Sequence, residues 1–359
     1  MSINRRLFTQ LGLIAEQGCS KGIDLMLGNG LRLYSNIKQI LFDQLDKRYT
    51  SEIVPQNWRS DPEEYKTIYS GVADYSNLYS CDFDGKNSLV WADAGYSSLL
   101  HLRDSLVKTR STIACTTVLR GGTANYRSLE TVRLHQDAPA FHLCIPKNEI
   151  RRAQGDMVEV IRDLFKSIMC DVTIEENRRD VSHYASWSVS AYVDVGSKNV
   201  EAVAGYQLSR SMCASLGLSD FELFELSIST RLMACLVMRY HRTLETRLTF
   251  PSNIAPVQLN IIFNGEEPNE IIEDLAESVR FFQKFKCNKG GTGAIGQASM
   301  RHAQSGAPLS VLITEGEIRC IQHVTGRMFA LKGGGSGILG KLLEDADLAL
   351  SEELGLRNG

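Results

Sequence analysis

Between Cys115 and Cys144 the chain reads CTTVLRGGTANYRSLETVRLHQDAPAFHLC, two alternating stretches on either side of a polar loop that contains glycine. Alternation of period two is the pattern of strands, and turn residues between two such runs fold them back on each other as a hairpin. Thr117 and Leu119 enter the turn, Gly121, Gly122, Thr123 and Asn125 make it, and Val132 and Leu134 leave it. Arg120 and Arg133 stand at the two strand mouths. On a paired hairpin both guanidinium groups reach one side of the sheet, where their fixed donors suit a polyphosphate. A surface hairpin with two solvated arginines fits the same residues.

The rest of the chain supplies a frame for this hairpin. Its 359 residues are enough for two domains with cores of their own, and 43% apolar with 23% charged residues is ordinary globular composition. The net charge of −3 leaves no overall basic footprint, so a nucleic-acid contact would have to come from a local patch. Nine cysteines are scattered singly, most of them in apolar runs and without a CxxC pair, which reads as reduced core thiols and not as a disulfide frame or a zinc site. No run approaches the roughly 18 apolar residues of a membrane span. The expectation is a soluble, cytoplasmic protein.

Several elements can be placed by period. Gly28-Asn29-Gly30 reads as a turn, followed from Leu31 by a helix with Leu33, Ile37, Ile40, Leu41 and Leu45 on one face, closed by Lys47 and Arg48. A short β-prone stretch from Ser51 to Val54 ends at Pro55. Strands are expected at Leu78–Phe83 and Ser88–Trp91, and helices over 97–107 and 149–168, the latter with Val158, Ile161, Leu164 and Phe165 on one face. The stretch 186–195 alternates as a strand, and FELFELSISTRLMACLVMRYH, 221–241, passes from an apolar strand into a helix whose first turn carries Arg231. A proline-bearing linker over 242–256 leads to a second pattern: strand 257–263, a helix from Asn269 with Ile271, Ile272, Leu275, Val279 and Phe282, a helix over 294–303, strands 309–314 and 318–324, and a final helix from Leu339. Strands alternating with helices predict a three-layer α/β unit with a mixed sheet. The glycines at 290–293 and 333–337 lack the lysine and hydroxyl ending of a phosphate loop and read as flexible loops.

Three of these stretches, in this order, carry a resemblance. The Arg120/Arg133 hairpin with Gln136-Asp137-Ala138 after it is similar to motif 2 of the class II aminoacyl-tRNA synthetases, the threonyl and prolyl enzymes above all. The Arg231 strand–helix unit is similar to motif 3, and Ile254-Ala255-Pro256 to the point where the catalytic domain hands over to the anticodon-binding domain. The long helix and the strand ending at Pro55 resemble motif 1, although an amphipathic helix packed on any sheet reads the same way.

The resemblance implies an α+β catalytic-like domain over 1–250, an antiparallel sheet flanked by helices in the class II synthetase fold, followed by a smaller α/β anticodon-binding-like domain over 251–359. It implies Arg120 on the α-phosphate of ATP, Arg133 and Arg231 near the γ-phosphate, and His135 and Gln136 beside the nucleotide. Asp93, Gln207 and Tyr206 become candidates for the amino-acid pocket, with core packing the preferred role for Tyr206, and Mg2+ comes with ATP. Arg231 has a plainer alternative as a helix-start arginine. Zinc is not expected, because Asp93 and Phe141 stand where the threonyl enzymes place ligands and offer one carboxylate and one apolar ring. Partners would be an amino acid and a tRNA or another acceptor, and motif 1 implies a homodimer through residues 31–55.

The sequence also departs from the pattern. Gly122 replaces the expected acidic residue, and Leu226 and Ile228 replace glycines over which adenine lies in prolyl-type enzymes. Three functions from different classes follow: an ATP-dependent amino-acid-activating ligase, a paralogue without adenylation acting as an accessory or binding subunit, and a nucleic-acid-binding module. The ligase is preferred because all three phosphate arginines are present, and catalysis by positioning and charge neutralisation asks for no general acid or base.

Overall fold

The computed structural model of the protein describes residues 3–15, 26–49, 59–60, 63, 67–68, 79–83, 86–90, 96, 99, 113–118, 138–177, 184–196, 199–228, 231–244, 248–287, 305–314, 317–331 and 336–356. Helix α1 (Ile3–Gln10) and helix α2 (Gly28–Asp46) come first. Strands β1 (Arg59–Ser60), β2 (Tyr79–Phe83) and β3 (Lys86–Val90) form a small antiparallel sheet in which Phe83 pairs with Lys86, as the expected hairpin requires.

The main sheet has six strands, β4 (Ile113–Val118), β5 (Ala138–Pro146), β6 (Thr173–Glu176), β7 (Ala185–Asp194), β8 (Asn199–Leu208) and β9 (Phe221–Ile228), in the order β4-β5-β9-β8-β7-β6. Every neighbouring pair is antiparallel. Helix α3 (Ile150–Ser167) joins β5 to β6, helix α4 (Arg210–Ser215) joins β8 to β9, and helix α5 (Arg231–Leu244) follows β9. Antiparallel strands leave a sheet free to bury one face on helices and turn the other to polar groups. Here Phe141, Leu143, Val189, Val193, Val203, Phe224, Leu226 and Ile228 all join one core with the buried stripes of α2, α3 and α5.

The helix at 149–168 forms almost as its period predicts, with Val158, Ile161, Leu164 and Phe165 buried. Helix α2 begins three residues earlier than expected: Gly28 to Gly30 are its first residues and not a turn before it. Gly30 is needed there, since a Cβ would stand 2.3 Å from the Leu13 carbonyl oxygen and 2.6 Å from Met26 Cγ. Leu33, Ile37, Leu41 and Leu45 are all buried within the chain, so the stripe that pointed to a partner is spent on this core. Tyr49 donates to Asp156 and Arg48 pairs with Asp163 at 2.8 Å, which clasps the end of α2 to α3.

Beyond residue 258 lies a five-stranded mixed sheet of β10 (Leu259–Asn264), β11 (Phe282–Cys287), β12 (Leu309–Thr314), β13 (Glu317–Gln322) and β14 (Met328–Leu331), ordered β11-β10-β12-β13-β14. The first three strands are parallel and the last two antiparallel to their neighbours. Helices α6 (Asn269–Ala276) and α7 (Ser336–Glu353) pack on one face of it. The helix expected to run on to Phe282 stops at Ala276, and Phe282 opens β11. Val279 and Phe282 happen to continue the helical stripe, but Lys284 and Lys286 alternate with Phe285 and Cys287 from there on. β14 was not foreseen. The expected helices over 97–107 and 294–303 and the strand at 51–54 lie outside the described residues, apart from Leu99, which is helical and buried.

The stretch expected as a linker is irregular but buried. Phe250, Ile254, Ala255 and Val257 have no exposed surface. Asn36 of α2 donates to the Ile254 carbonyl at 3.2 Å, Asn253 donates to the Ser167 carbonyl at 2.7 Å, and the Ser252 amide donates to Asp347 of α7 at 2.8 Å. Three elements, α2, α3 and α7, therefore hold the hand-over between the two large sheets. Among the described residues, no helix is long and apolar enough to cross a membrane.

Candidate functional site

Residues paired across antiparallel strands point to the same face, so the register sorts the side chains of the main sheet. Opposite the helix layer, one row runs His142, Glu225, Tyr206, Ser188 across β5, β9, β8 and β7. The next row runs Ala140, Ser227, Ala204, Ser190, Glu175. The first row is a polar wall; the second is a strip of small side chains bounded by a carboxylate.

Two tyrosines from distant parts of the chain close over the wall. Tyr184, just before β7, donates to Glu225 Oε2 at 2.7 Å, and Tyr96 donates to the same oxygen while its hydroxyl also meets that of Tyr184. The Tyr184 ring stands edge-on to Tyr206 at 5.5 Å, and the Tyr96 ring edge-on to His142 at 5.1 Å. Beyond the wall the same face is sealed by an apolar cluster of Cys144, Leu208, Met212, Cys213, Leu216 and Leu223 with Ile68 and Leu99. A buried carboxylate is stable only when hydrogen-bonded, and the two phenols supply the donors.

The titration behaviour follows from this enclosure. Burial, and after it the Glu225 carboxylate, push the Tyr184 phenol well above its ordinary value. Burial pulls His142 down to about 3, which leaves a neutral imidazole. Cys144, at the sealed end, is pushed up to about 12 by burial and secondarily by Cys213.

The opposite end of this face is where two strands leave the sheet. β4 and β9 are both antiparallel to β5, which lies between them, so they run the same way. β4 ends at Val118, paired with Ala138, and β9 ends at Ile228, one residue past the Ala140–Ser227 pair. Helix α5 starts at this end with Arg231, which is half-buried, and the hydroxyl of Tyr34 on α2 donates to the Ile228 carbonyl at 3.3 Å to fix the strand end.

Of the sequence candidates, Asp93, Arg120, Arg133, His135 and Gln136 lie outside the described residues, as does Gly122. The strands that lead into and out of their loop pair as expected, through Val118 and Ala138. Gln207 faces the helix layer. It accepts from Gln154 of α3 at 2.9 Å and donates to the buried Glu222 at 2.9 Å, while its neighbour Tyr206 faces the polar wall. Leu226 and Ile228 also face the helix layer, completely buried, with Ser227 between them on the other side. Phe141 faces the helices too, and the side chain presented to the polar face at that point is His142. Glu225, Tyr96, Tyr184 and His142 were not singled out from the sequence; the visible signal was the pair of charges, Glu222 and Glu225, inside a mostly apolar strand.

No protein-family model matches this chain, and no curated protein matches it. Among solved structures it is similar to the Giardia lamblia prolyl-tRNA synthetase in complex with prolyl-adenylate, with a TM-score of 0.77 and 14% sequence identity over 98% of this chain and 80% of that one. The likeness is one of fold, an antiparallel sheet flanked by helices.

Proposed function

We propose that the protein is an ATP-dependent ligase that activates an amino acid as its adenylate and passes the acyl group to a tRNA or another acceptor. The observation that carries this reading is that β4 and β9, which lead to Arg120 and to Arg231, leave the polar face at one end, with the Glu225 wall at the other. A substrate lying across the small-residue row, along the strand direction, has its phosphates at the arginine end and its amino acid at the carboxylate end. The solved neighbour, a prolyl-tRNA synthetase in complex with prolyl-adenylate, supports an adenylate as the kind of molecule this fold holds.

In this reading Arg120, Arg133 and Arg231 bind the triphosphate, His135 and Gln136 lie beside the nucleotide, and Ala140, Ala204, Ser190 and Ser227 form a floor low enough for a flat ring. The amino-acid carboxylate oxygen attacks the α-phosphorus, the bond to the bridging oxygen of pyrophosphate breaks, and the guanidinium groups hold the charge that leaves. Mg2+ is assigned to the phosphates, where it commonly retains waters of its own. Gln207 has its hydrogen bonds within the helix layer, so contact with the amino acid is assigned to Glu225 and Tyr206, with Asp93 as a further candidate. The accessory-subunit alternative drew on Gly122, Leu226 and Ile228. The last two turn away from the polar face, which removes their objection to a nucleotide there.

We further propose the division into a catalytic-like domain up to residue 250 and an anticodon-binding-like α/β domain after it. The homodimer stays part of the proposal on the resemblance alone, since the α2 stripe is buried within the chain.

The test is pyrophosphate exchange across the twenty amino acids, with ATP binding and melting temperature for Arg120→Ala, Arg133→Ala and Arg231→Ala. Loss of one preorganised donor costs about 2.7–4 kcal/mol, roughly a hundredfold to a thousandfold in rate. The three act on one triphosphate, so a double replacement should cost less than the sum. Undiminished ATP binding with all three replaced would place the site elsewhere.

A further inference from the structure

His142 is completely buried, faces the same side as Glu225 and Tyr206, and has no hydrogen-bond partner for Nδ1 or Nε2 among the described residues. The carboxylate beside it is served by two phenols, so among the described residues the wall satisfies Glu225 and supplies nothing to the imidazole. A buried polar group without a partner lowers stability, and its retention in a native fold asks for a reason. Because burial keeps the ring neutral, it offers one N–H donor and one nitrogen acceptor. That pair complements a hydroxyl or a carboxamide, each of which both donates and accepts. It gives an aliphatic side chain nothing.

Tyr96 decides when the imidazole can be reached. Its ring packs edge-on against His142 and its hydroxyl donates to Glu225. An ammonium group arriving at Glu225 is a stronger, charge-assisted donor than a phenol and takes that place, which releases the ring.

We propose that His142 determines specificity in this site by selecting an amino acid whose side chain carries an uncharged hydroxyl or carboxamide, with Tyr96 as the group the substrate displaces. This rests on the amino-acid-activating reading above. A site built to hydrogen-bond a substrate group discriminates far more strongly against the analogue lacking it than a pocket discriminates by fit alone.

The experiment is pyrophosphate exchange with serine, threonine, asparagine and glutamine against alanine, valine and leucine, on the full chain and on His142→Leu and His142→Gln. The parent should favour one polar member by about a hundredfold or more in kcat/KM over its apolar counterpart. His142→Leu should bring that ratio to within about tenfold and melt at a higher temperature than the parent, because an unserved polar group has gone. His142→Gln keeps a neutral donor and acceptor and should keep the preference. A parent preference for an apolar amino acid, a ratio unchanged in His142→Leu, or a leucine variant that melts lower or fails to fold would overturn this assignment and leave the ligase reading standing. Exchange with none of the twenty amino acids would remove both.

Discussion

Replacing Tyr184 by Phe removes one phenol from Glu225 and keeps the ring that packs on Tyr206. The lost bond is a donor to a buried carboxylate, so the variant should be less stable at neutral pH by about 1.5–3 kcal/mol. Alkali should narrow that gap. In the folded parent the phenol is held protonated well above 10, while in the unfolded chain it ionises near 10. Stability from this group is therefore fully present below the unfolded value and is lost as the pH rises past it. For one such group the loss is about 0.4 kcal/mol at pH 10 and about 1.4 kcal/mol at pH 11. Phenylalanine has no proton to lose, so the gap between parent and variant should shrink by about 1.4 kcal/mol between pH 7 and pH 11. The buried Tyr240, also raised, steepens both curves equally and cancels in the difference. Urea unfolding followed by the fluorescence of Trp187, which packs edge-on to Phe224 at 6.2 Å on the helix side, reads both stabilities. A gap that stays constant across that range would show that the Tyr184 phenol titrates normally in the folded protein, and the clasp on Glu225 would be wrong.

Two glycines at the start of α2 should respond differently to the same change. Gly30→Ala drives a Cβ against the Leu13 carbonyl and should cost about 1–3 kcal/mol, whereas Gly28→Ala meets nothing within 4 Å and should be neutral or slightly stabilising in chemical denaturation. Equal stability of the two variants would disprove the close approach. Cys170 and Cys320 are buried, with thiols pushed up to about 12 by burial, so in the native protein at neutral pH both should resist alkylation and react only on unfolding, as peptide mass mapping would show.

Elements whose apolar residues carry a single period were legible in the sequence. The stripe of α3 and the strand–helix passage from β9 to α5 form where their patterns place them, because each buries its apolar residues in the helix-side core. The helix expected through Phe282 failed where two residues satisfied the helical stripe by coincidence and the strand period began. The α2 stripe was legible as an amphipathic helix, but a stripe does not state whether its neighbour is in the same chain; α3 and the sheet turned out to be that neighbour.

The polar wall of the candidate site was hidden for a different reason. Tyr96 and Glu225 are 129 positions apart and Tyr184 and Glu225 are 41 apart, so no local spacing records their meeting. It is the pairing of β5 with β9 and of β9 with β8 that brings His142, Glu225 and Tyr206 into one row. Within a strand, successive side chains take opposite faces, so a one-position difference decides between a ligand contact and a core contact. Gln207 and Tyr206 show this directly: the amide is engaged by Gln154 and Glu222 behind the sheet, and the phenol one residue earlier stands in front of it. The same parity sends Phe141, Leu226 and Ile228 into the core and presents His142 and Ser227 in their place. Spacing in the sequence alone identifies the strand, and only the register of its neighbours says which residue of each adjacent pair stands on the polar face.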